Sequence, residues 1–224
     1  MSAGRSVLGV LGLLCVVGCS TVPFREIELV SVEAVDPEEM LGRFGLALPV
    51  KCRVVTTVTF KFMGRAVTAI GYTDADTSKR TFTVVGLHPS GGITLFELSG
   101  DADHVESAFA LEEFTRRGDF AQAVADDTRR IYFDCVPGPA AKVSKKNGRI
   151  VFRQQAAQGD IEYVFGGADG VLVRKRYYEK GRKVWTASYY EYRWEQGKLY
   201  PAGIVLEDHE YGYQLLVRLK EIRS

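Results

Sequence analysis

The 224-residue chain has three histidines, four cysteines, nearly balanced charge and no apolar run of membrane-spanning length. Each shortage excludes a class of function. His88, His104 and His209 lie in separate turns or at strand starts, without the i, i+4 spacing of a helical metal site. No Gly-x-Ser-x-Gly elbow or phosphate-cradling glycine loop accompanies them. Asp101, Asp103 and His104 crowd one hairpin, where a polar turn accounts for them. The expectation is no metal, no cofactor and no enzyme. With 29 Lys and Arg against 28 Asp and Glu, the chain also lacks the basic excess of a nucleic-acid binder. The longest apolar run, Val7 to Val17, covers roughly 18 Å as a helix, short of the ~30 Å of a hydrocarbon core.

That run follows a short positive start at Arg5 and ends in Val16-Val17-Gly18-Cys19, which resembles a bacterial lipobox. Leu13-Leu14-Cys15 does not fit, because a bulky Leu precedes the cysteine. The resemblance implies a signal peptide over residues 1–18, cleaved after Gly18, and a lipidated Cys19 opening a single domain over 19–224. An ordinary secreted protein with Cys15 and Cys19 incidental is the alternative. Two or more acyl chains, palmitate among them, give the stable anchor that one chain does not. Removal of Arg5 leaves 28 charges of each sign. Ser20, rather than Asp, follows Cys19, which favours the outer membrane with the domain facing the periplasm. In that compartment Cys52 and Cys135 are either a disulfide pair or two separate thiols.

Strand patterns dominate the rest. In "RVVTTVTFKF" Val54, Thr56, Val58, Phe60 and Phe62 fall on one face, the period-two signature of a half-buried strand. "AVTAIGYT", "TFTVVGL", "ITLFEL" and "VESAFA" continue a meander. Asp119 caps a helix predicted over "FAQAVADDTRRIYF", with a shorter helix in "LEEFTRRG" before it, and "VPGPA" ends the helical stretch. Strands resume with a hairpin at Asn147-Gly148 and run to the C-terminus. The predicted fold is mainly β (α+β): an incomplete antiparallel β-barrel, or strongly curved sheet, of roughly ten strands with a mid-chain helical plug.

The lipobox, the meander, the turn Gly86-Leu87-His88-Pro89-Ser90-Gly91 followed by "ITLFELSGD", the helical insertion and the closing "LYPAGIVLEDHEYGYQLLVRLKEI" together resemble the LolA/LolB superfamily of lipoprotein carriers. They are also similar to uncharacterised members of that superfamily encoded beside aryl-polyene biosynthesis genes. The resemblance implies an apolar cavity that receives acyl chains, with an acylated lipoprotein or glycolipid as cargo and a soluble periplasmic carrier as a partner. One departure is Ser90, which stands where LolB carries an exposed apolar residue in this turn.

The lining expected from apolar strand faces comprises Val54, Val58, Phe60, Phe62, Ile70, Tyr72, Phe82, Phe96, Leu98, Ile150, Phe152, Ile204 and Leu206. The bland reading of each is packed core. Basic residues gather at two hairpins: Lys142, Lys145, Lys146 and Arg149 at one, and Arg174, Lys175, Arg176, Lys180, Arg182 and Lys183 at the other. They either meet anionic head groups or guard strand edges. The functional expectation is an outer-membrane lipoprotein that binds acyl chains and assists their delivery to the membrane without catalysis. The alternative is a non-enzymatic assembly lipoprotein using the curved sheet as a protein-docking surface.

Overall fold

The computed structural model describes residues 22–116 and 118–223. Residues 1–18, where a signal peptide is expected, and Cys19 lie outside the described residues. The chain enters through α1 (Pro37–Ala47) and then lays down β1 (Lys51–Phe62), β2 (Arg65–Asp76), β3 (Thr81–Leu87), β4 (Thr94–Gly100) and β5 (Val105–Ala110). Two helices follow, α2 (Glu112–Thr115) and α3 (Phe120–Tyr132). The second half comprises β6 (Lys142–Lys146), β7 (Arg149–Gln155), β8 (Asp160–Gly166), β9 (Val171–Glu179), β10 (Arg182–Glu195), β11 (Lys198–Asp208) and β12 (Tyr213–Ile222).

Among the described residues, twelve strands form one antiparallel sheet in the order β5-β4-β3-β2-β1-β12-β11-β10-β9-β8-β7-β6. The first and last strands pair at its centre, and β5 and β6 are its edges, so the barrel is open, as expected. The predicted ten strands are twelve because the long C-terminal segment divides at Gly167–Gly170, Lys180-Gly181, Gln196-Gly197 and His209–Gly212 into five. Asn147 and Gly148 both take positive φ, the backbone a tight two-residue hairpin turn demands.

Helix α3 is capped as predicted, the Asp119 side chain accepting from the Gln122 amide at 3.0 Å. α1 was not anticipated. Its signal is Asp36-Pro37-Glu38-Glu39: Asp36 Oδ1 accepts from the amides of Glu38 and Glu39, proline holds the first helical position, and two acids face the positive helix end. Met40 and Phe44, one turn apart, are its buried residues.

Both longer helices lie against the concave face and divide its core in two. The larger cluster joins Met40, Phe44 and Ile131 to Ile150, Phe152, Phe165, Leu172, Ile204 and Leu206. The smaller joins Val54, Ala75, Phe82, Leu98, Ala125 and Phe133. Antiparallel order also gives the sheet two distinct ends. The turns β2–β3, β4–β5, β6–β7, β8–β9 and β10–β11 lie at one end, and β1–β2, β3–β4, β7–β8, β9–β10 and β11–β12 at the other.

Candidate functional site

A cavity of about 290 Å³ opens between the two helices and the central seam of the sheet. Its walls come from α1 (Phe44, Gly45), β1 (Cys52, Val54, Thr56), the C-terminal turn of α3 (Ile131, Tyr132), β10 (Tyr189, Tyr192), β11 (Leu199, Tyr200, Ile204) and β12 (Val217, Leu219). Pro49, Val50, Thr77 and Val136 also line it, which sets its mouth at the β2–β3 end. Leu46, Val50, Val136 and Trp194 are exposed apolar residues at this end.

The polar groups here are spent on the fold. Tyr189 Oη donates to the Ile131 carbonyl at 2.9 Å, and Tyr192 Oη to the Leu172 carbonyl at 2.7 Å. Lys175 projects from β9 with its side chain buried and its Nζ 2.7 Å from the Phe133 carbonyl. Two of the terminal carbonyls of α3, which have no partner within the helix, are thereby fastened to the sheet. Beside them Arg80 forms a forked pair with Asp134, Nη1 to Oδ1 at 2.6 Å and Nη2 to Oδ2 at 3.2 Å.

Burial keeps the thiols and phenols of the lining protonated, and the one acid there, Asp134, is the partner of Arg80. The same burial pushes the Cys52 thiol up to about 12, and it raises Cys135 and the phenols of Tyr132, Tyr189 and Tyr192 as well. Both thiols are free. Cys135 Sγ is directed at the carbonyls of its own helix end, Ile131 at 3.6 Å and Tyr132 at 3.7 Å. The two cysteines thus share a cavity without forming a disulfide, and as protonated thiols they are poor nucleophiles.

The expected lining scatters. Val54 and Ile204 face the cavity. Ile150, Phe152 and Leu206 are buried in the larger cluster, with Val58 packed against it, and Phe82 and Leu98 are buried in the smaller cluster, with Phe96 packed against that. Ile70 and Tyr72 lie on the convex face. The tight turn pairs Phe62 with Arg65, so the inward even positions of β1 oppose odd positions of β2: Val54 with Thr73, Thr56 with Gly71, Val58 with Ala69. A one-residue change of parity exchanges the faces, and the convex side of Tyr72 is covered by the Arg223 guanidinium, 4.7 Å from the ring centre. Phe60 and Phe62 are on the concave face but beyond the cavity, near the tip of the β1–β2 hairpin, each 38% exposed.

Sequence reading missed the tyrosines of β10 and β11, the α1 residues and the two cysteines as cavity walls. The signal for Tyr189 was its apolar neighbourhood in "WTASYYEY", which alternates less cleanly than β1 because β10 is irregular near Glu191, a residue with positive φ. The basic cluster at β9 is not a surface patch throughout. Lys175 is buried, and Arg176 is paired with Glu162 at 2.8 Å.

A second polar cluster fastens the other side of α3. Arg130 Nη1 bridges Asp127 Oδ1 at 3.2 Å and Asp208 Oδ2 at 3.0 Å, and Tyr213 Oη donates to Asp127 Oδ1 at 2.7 Å. Asp208 Oδ1 in turn accepts from the amides of Glu210 and Tyr211. Burial pushes Asp127 up to about 7, opposed by the Tyr213 hydrogen bond and the Arg130 charge. Among the described residues no group of three or more His, Cys, Asp or Glu could hold a metal ion, and no helix is long and apolar enough to cross a membrane.

No protein-family model matches the sequence, and no curated protein matches it. Solved structures do resemble the fold. A LolA superfamily protein of Nitrosomonas europaea aligns over 85% of this chain and 94% of its own, at 10% identity and a TM-score of 0.55. A DUF1329 family protein of Desulfovibrio piger aligns over 83% of this chain and 90% of its own, at 10% identity and a TM-score of 0.50. The chain has the LolA superfamily fold.

Proposed function

We propose that the protein is an envelope lipoprotein that shelters an acyl chain in the seam cavity and assists its delivery to a membrane, without catalysis. One observation carries this reading: a predominantly apolar cavity, walled by aliphatic and aromatic side chains and with its one acid, Asp134, paired to Arg80, open at one end of a LolA-type sheet. At roughly 30 Å³ per methylene, the share of a water molecule, the 290 Å³ accommodates roughly ten methylenes of one chain. Removing them from water is worth about 8 kcal/mol gross, at about 0.8 kcal/mol each, before the costs of association. Affinity of that order needs neither nucleotide nor covalent chemistry.

The remainder of the reading comes from the sequence. Residues 1–18 are the signal peptide, the mature domain is 19–224, and Cys19 carries the lipid that tethers it to the outer membrane, facing the periplasm. The cargo is an acylated lipoprotein or glycolipid, received from a soluble periplasmic carrier. Replacement of Cys19 by Ser should release the protein from membranes, and continued retention would refute the anchor.

Native mass spectrometry of the protein isolated gently from bacterial envelopes, followed by organic extraction, tests the cavity. A bound acyl species displaced by Ile204→Trp, which fills the cavity, is the expected result. A protein that stays free of ligand even after incubation with fatty acid, phospholipid and acyl-peptide favours the alternative, a docking scaffold with a filled core.

A further inference from the structure

We infer that the tip of the β1–β2 hairpin is a membrane-docking element that seats its apolar side chains at the head-group level of an anionic bilayer. The outer half of this hairpin is unlike the rest of the sheet. β3 covers β2 only from Ile70 to Asp76, so the ribbon from Arg65 to Ala69 projects past its neighbour. On its concave face Phe60 is packed on Phe62 and Tyr213, with ring centres 6.3 and 5.3 Å apart. Val67, cross-strand from Phe60, is 51% exposed and Met63 at the turn is 82% exposed. A sheet protein that leaves two phenylalanines, a valine and a methionine together in water presents a site of interaction.

Charge selects the partner. Lys61 and Arg65 flank the tip, and the exposed Lys180, Arg182 and Lys183 stand in the β9–β10 turn at the same end of the sheet. Of the acids at this end, Glu210 lies 3.7 Å from Arg182, Asp208 is paired with Arg130 and Glu179 stands cross-strand from Arg182, so Glu207 and Asp160 remain against Lys61, Arg65, Lys180 and Lys183. Apolar and aromatic side chains bracketed by long cations are the composition that settles at a membrane interface, the rings at head-group depth and the cations toward phosphate. Depth is limited, because the open edge of β2 presents backbone groups that hydrocarbon cannot satisfy.

The path of the N-terminal segment points the same way. Read toward the N-terminus, Val30 and Leu29 touch Gly148 and Gly166 at the mouth end, Ile27 touches Gly167, the Arg25 amide reaches Glu191, and Phe24 lies on Gly203. Val22 packs on the cluster of Phe24, Val205 and Leu216 on the convex face. The Val205–Leu216 pair stands three ladder rows, roughly 10 Å, from the Asp208–Tyr213 pair beside the hairpin tip. Cys19 is three residues beyond Val22, a reach of at most about 11 Å. This step rests on the proposed anchor: a lipid on Cys19 can then enter the bilayer at the level of Phe62 and Met63.

The test uses the lipidated protein in vesicles of phosphatidylethanolamine and phosphatidylglycerol with brominated acyl chains, which quench tryptophan on contact. The native tryptophans serve as controls, since Trp185 is buried and Trp194, 60% exposed, ends β10 at the mouth end. Wild-type emission should be unaffected by bromine, whereas Phe62→Trp should gain a component quenched at least twofold. Lys61→Glu combined with Arg65→Glu should remove most of that quenching, with an unchanged near-ultraviolet circular dichroism spectrum showing intact packing. Quenching of the wild type that Trp194→Phe abolishes would put the cavity end on the bilayer and overturn the inference. So would vesicle-bound Phe62→Trp protein whose added emission is unquenched, whether the patch is then covered by a second copy, visible as a dimer by light scattering, or by nothing. Protein that fails to float with the vesicles refutes the anchor and the docking together, whereas a floating Phe62→Trp variant without quenching refutes the docking alone.

Discussion

At the mouth end α3 meets the sheet through single hydrogen bonds to its last carbonyls, from Tyr189 and Lys175, around a cavity whose lining is mainly apolar. At the hairpin end the same helix is held by Arg130 between two buried carboxylates, Asp127 and Asp208, with Tyr213 closing the group. The mouth side is held chiefly by hydrogen bonds to carbonyls, and the other side by a buried ion pair. A helix packed only on apolar surface can slide. The directional ionic clamp sets the position of α3, so the opposite side can remain a cavity instead of being filled to fix the helix.

The largest effect should come from emptying the mouth end. Phe44 is packed edge-on to Phe165 and Tyr192, with ring centres 5.3 and 6.4 Å apart, and Phe44→Ala should cost about 4 kcal/mol by urea unfolding, by the same amount at pH 5 and pH 8. Breaking the clamp should behave differently. Arg130→Met leaves Asp127 and Asp208 without their cation and should cost about 3 kcal/mol at pH 8, shrinking toward pH 5 as Asp127 takes up a proton. A pH-independent loss would mean that the clamp is not ionic in effect.

Asp127→Asn sharpens the same contrast with the opposite sign. The folded-state value of Asp127 is raised to about 7, above that of an unfolded carboxylate near 4, so between these limits the folded protein holds the extra proton. Stability from this group is therefore greatest below pH ~4 and is lost as pH rises through 7. The Asn variant, facing Arg130, Asp208, Tyr213 and Asp126, should lack that slope and gain on the order of 2 kcal/mol at pH 8. Thermal midpoints across pH 4–8 measure it. The smallest effect belongs to the hairpin: Phe60→Asp should cost about 1 kcal/mol through its lost contacts with Phe62 and Tyr213 and leave ligand occupancy of the cavity unchanged, because Phe60 is outside it.

The contrast between strands explains how much the sequence discloses. β1 announces its inward face because apolar and polar residues alternate cleanly, and α3 announces its start through Asp119. β2 misleads because its inward face is made small, Ala69, Gly71 and Ala75, where the plug and cavity need room. A Cβ on Gly71 would stand 2.8 Å from Thr56 Oγ1. Its larger residues, Ile70 and Tyr72, therefore point outward, and hydrophobicity alone selects the wrong face. The two-residue turn at Met63-Gly64 carried the parity all along. The cavity itself was legible only as an excess of apolar strand faces. Which of them are walls depends on where α1 and the C-terminal turn of α3 come to rest, and that is a long-range property.

The pairing of β1 with β12 at the centre of the sheet also sets a schedule. The first strand to be made waits for the last, and until Tyr213–Ile222 emerges the two meanders share no seam. Partners this distant in the chain make for slow folding. A chain cut short by ten residues loses the central join and one wall of the cavity, so a prematurely terminated product has nothing in which to hold a ligand.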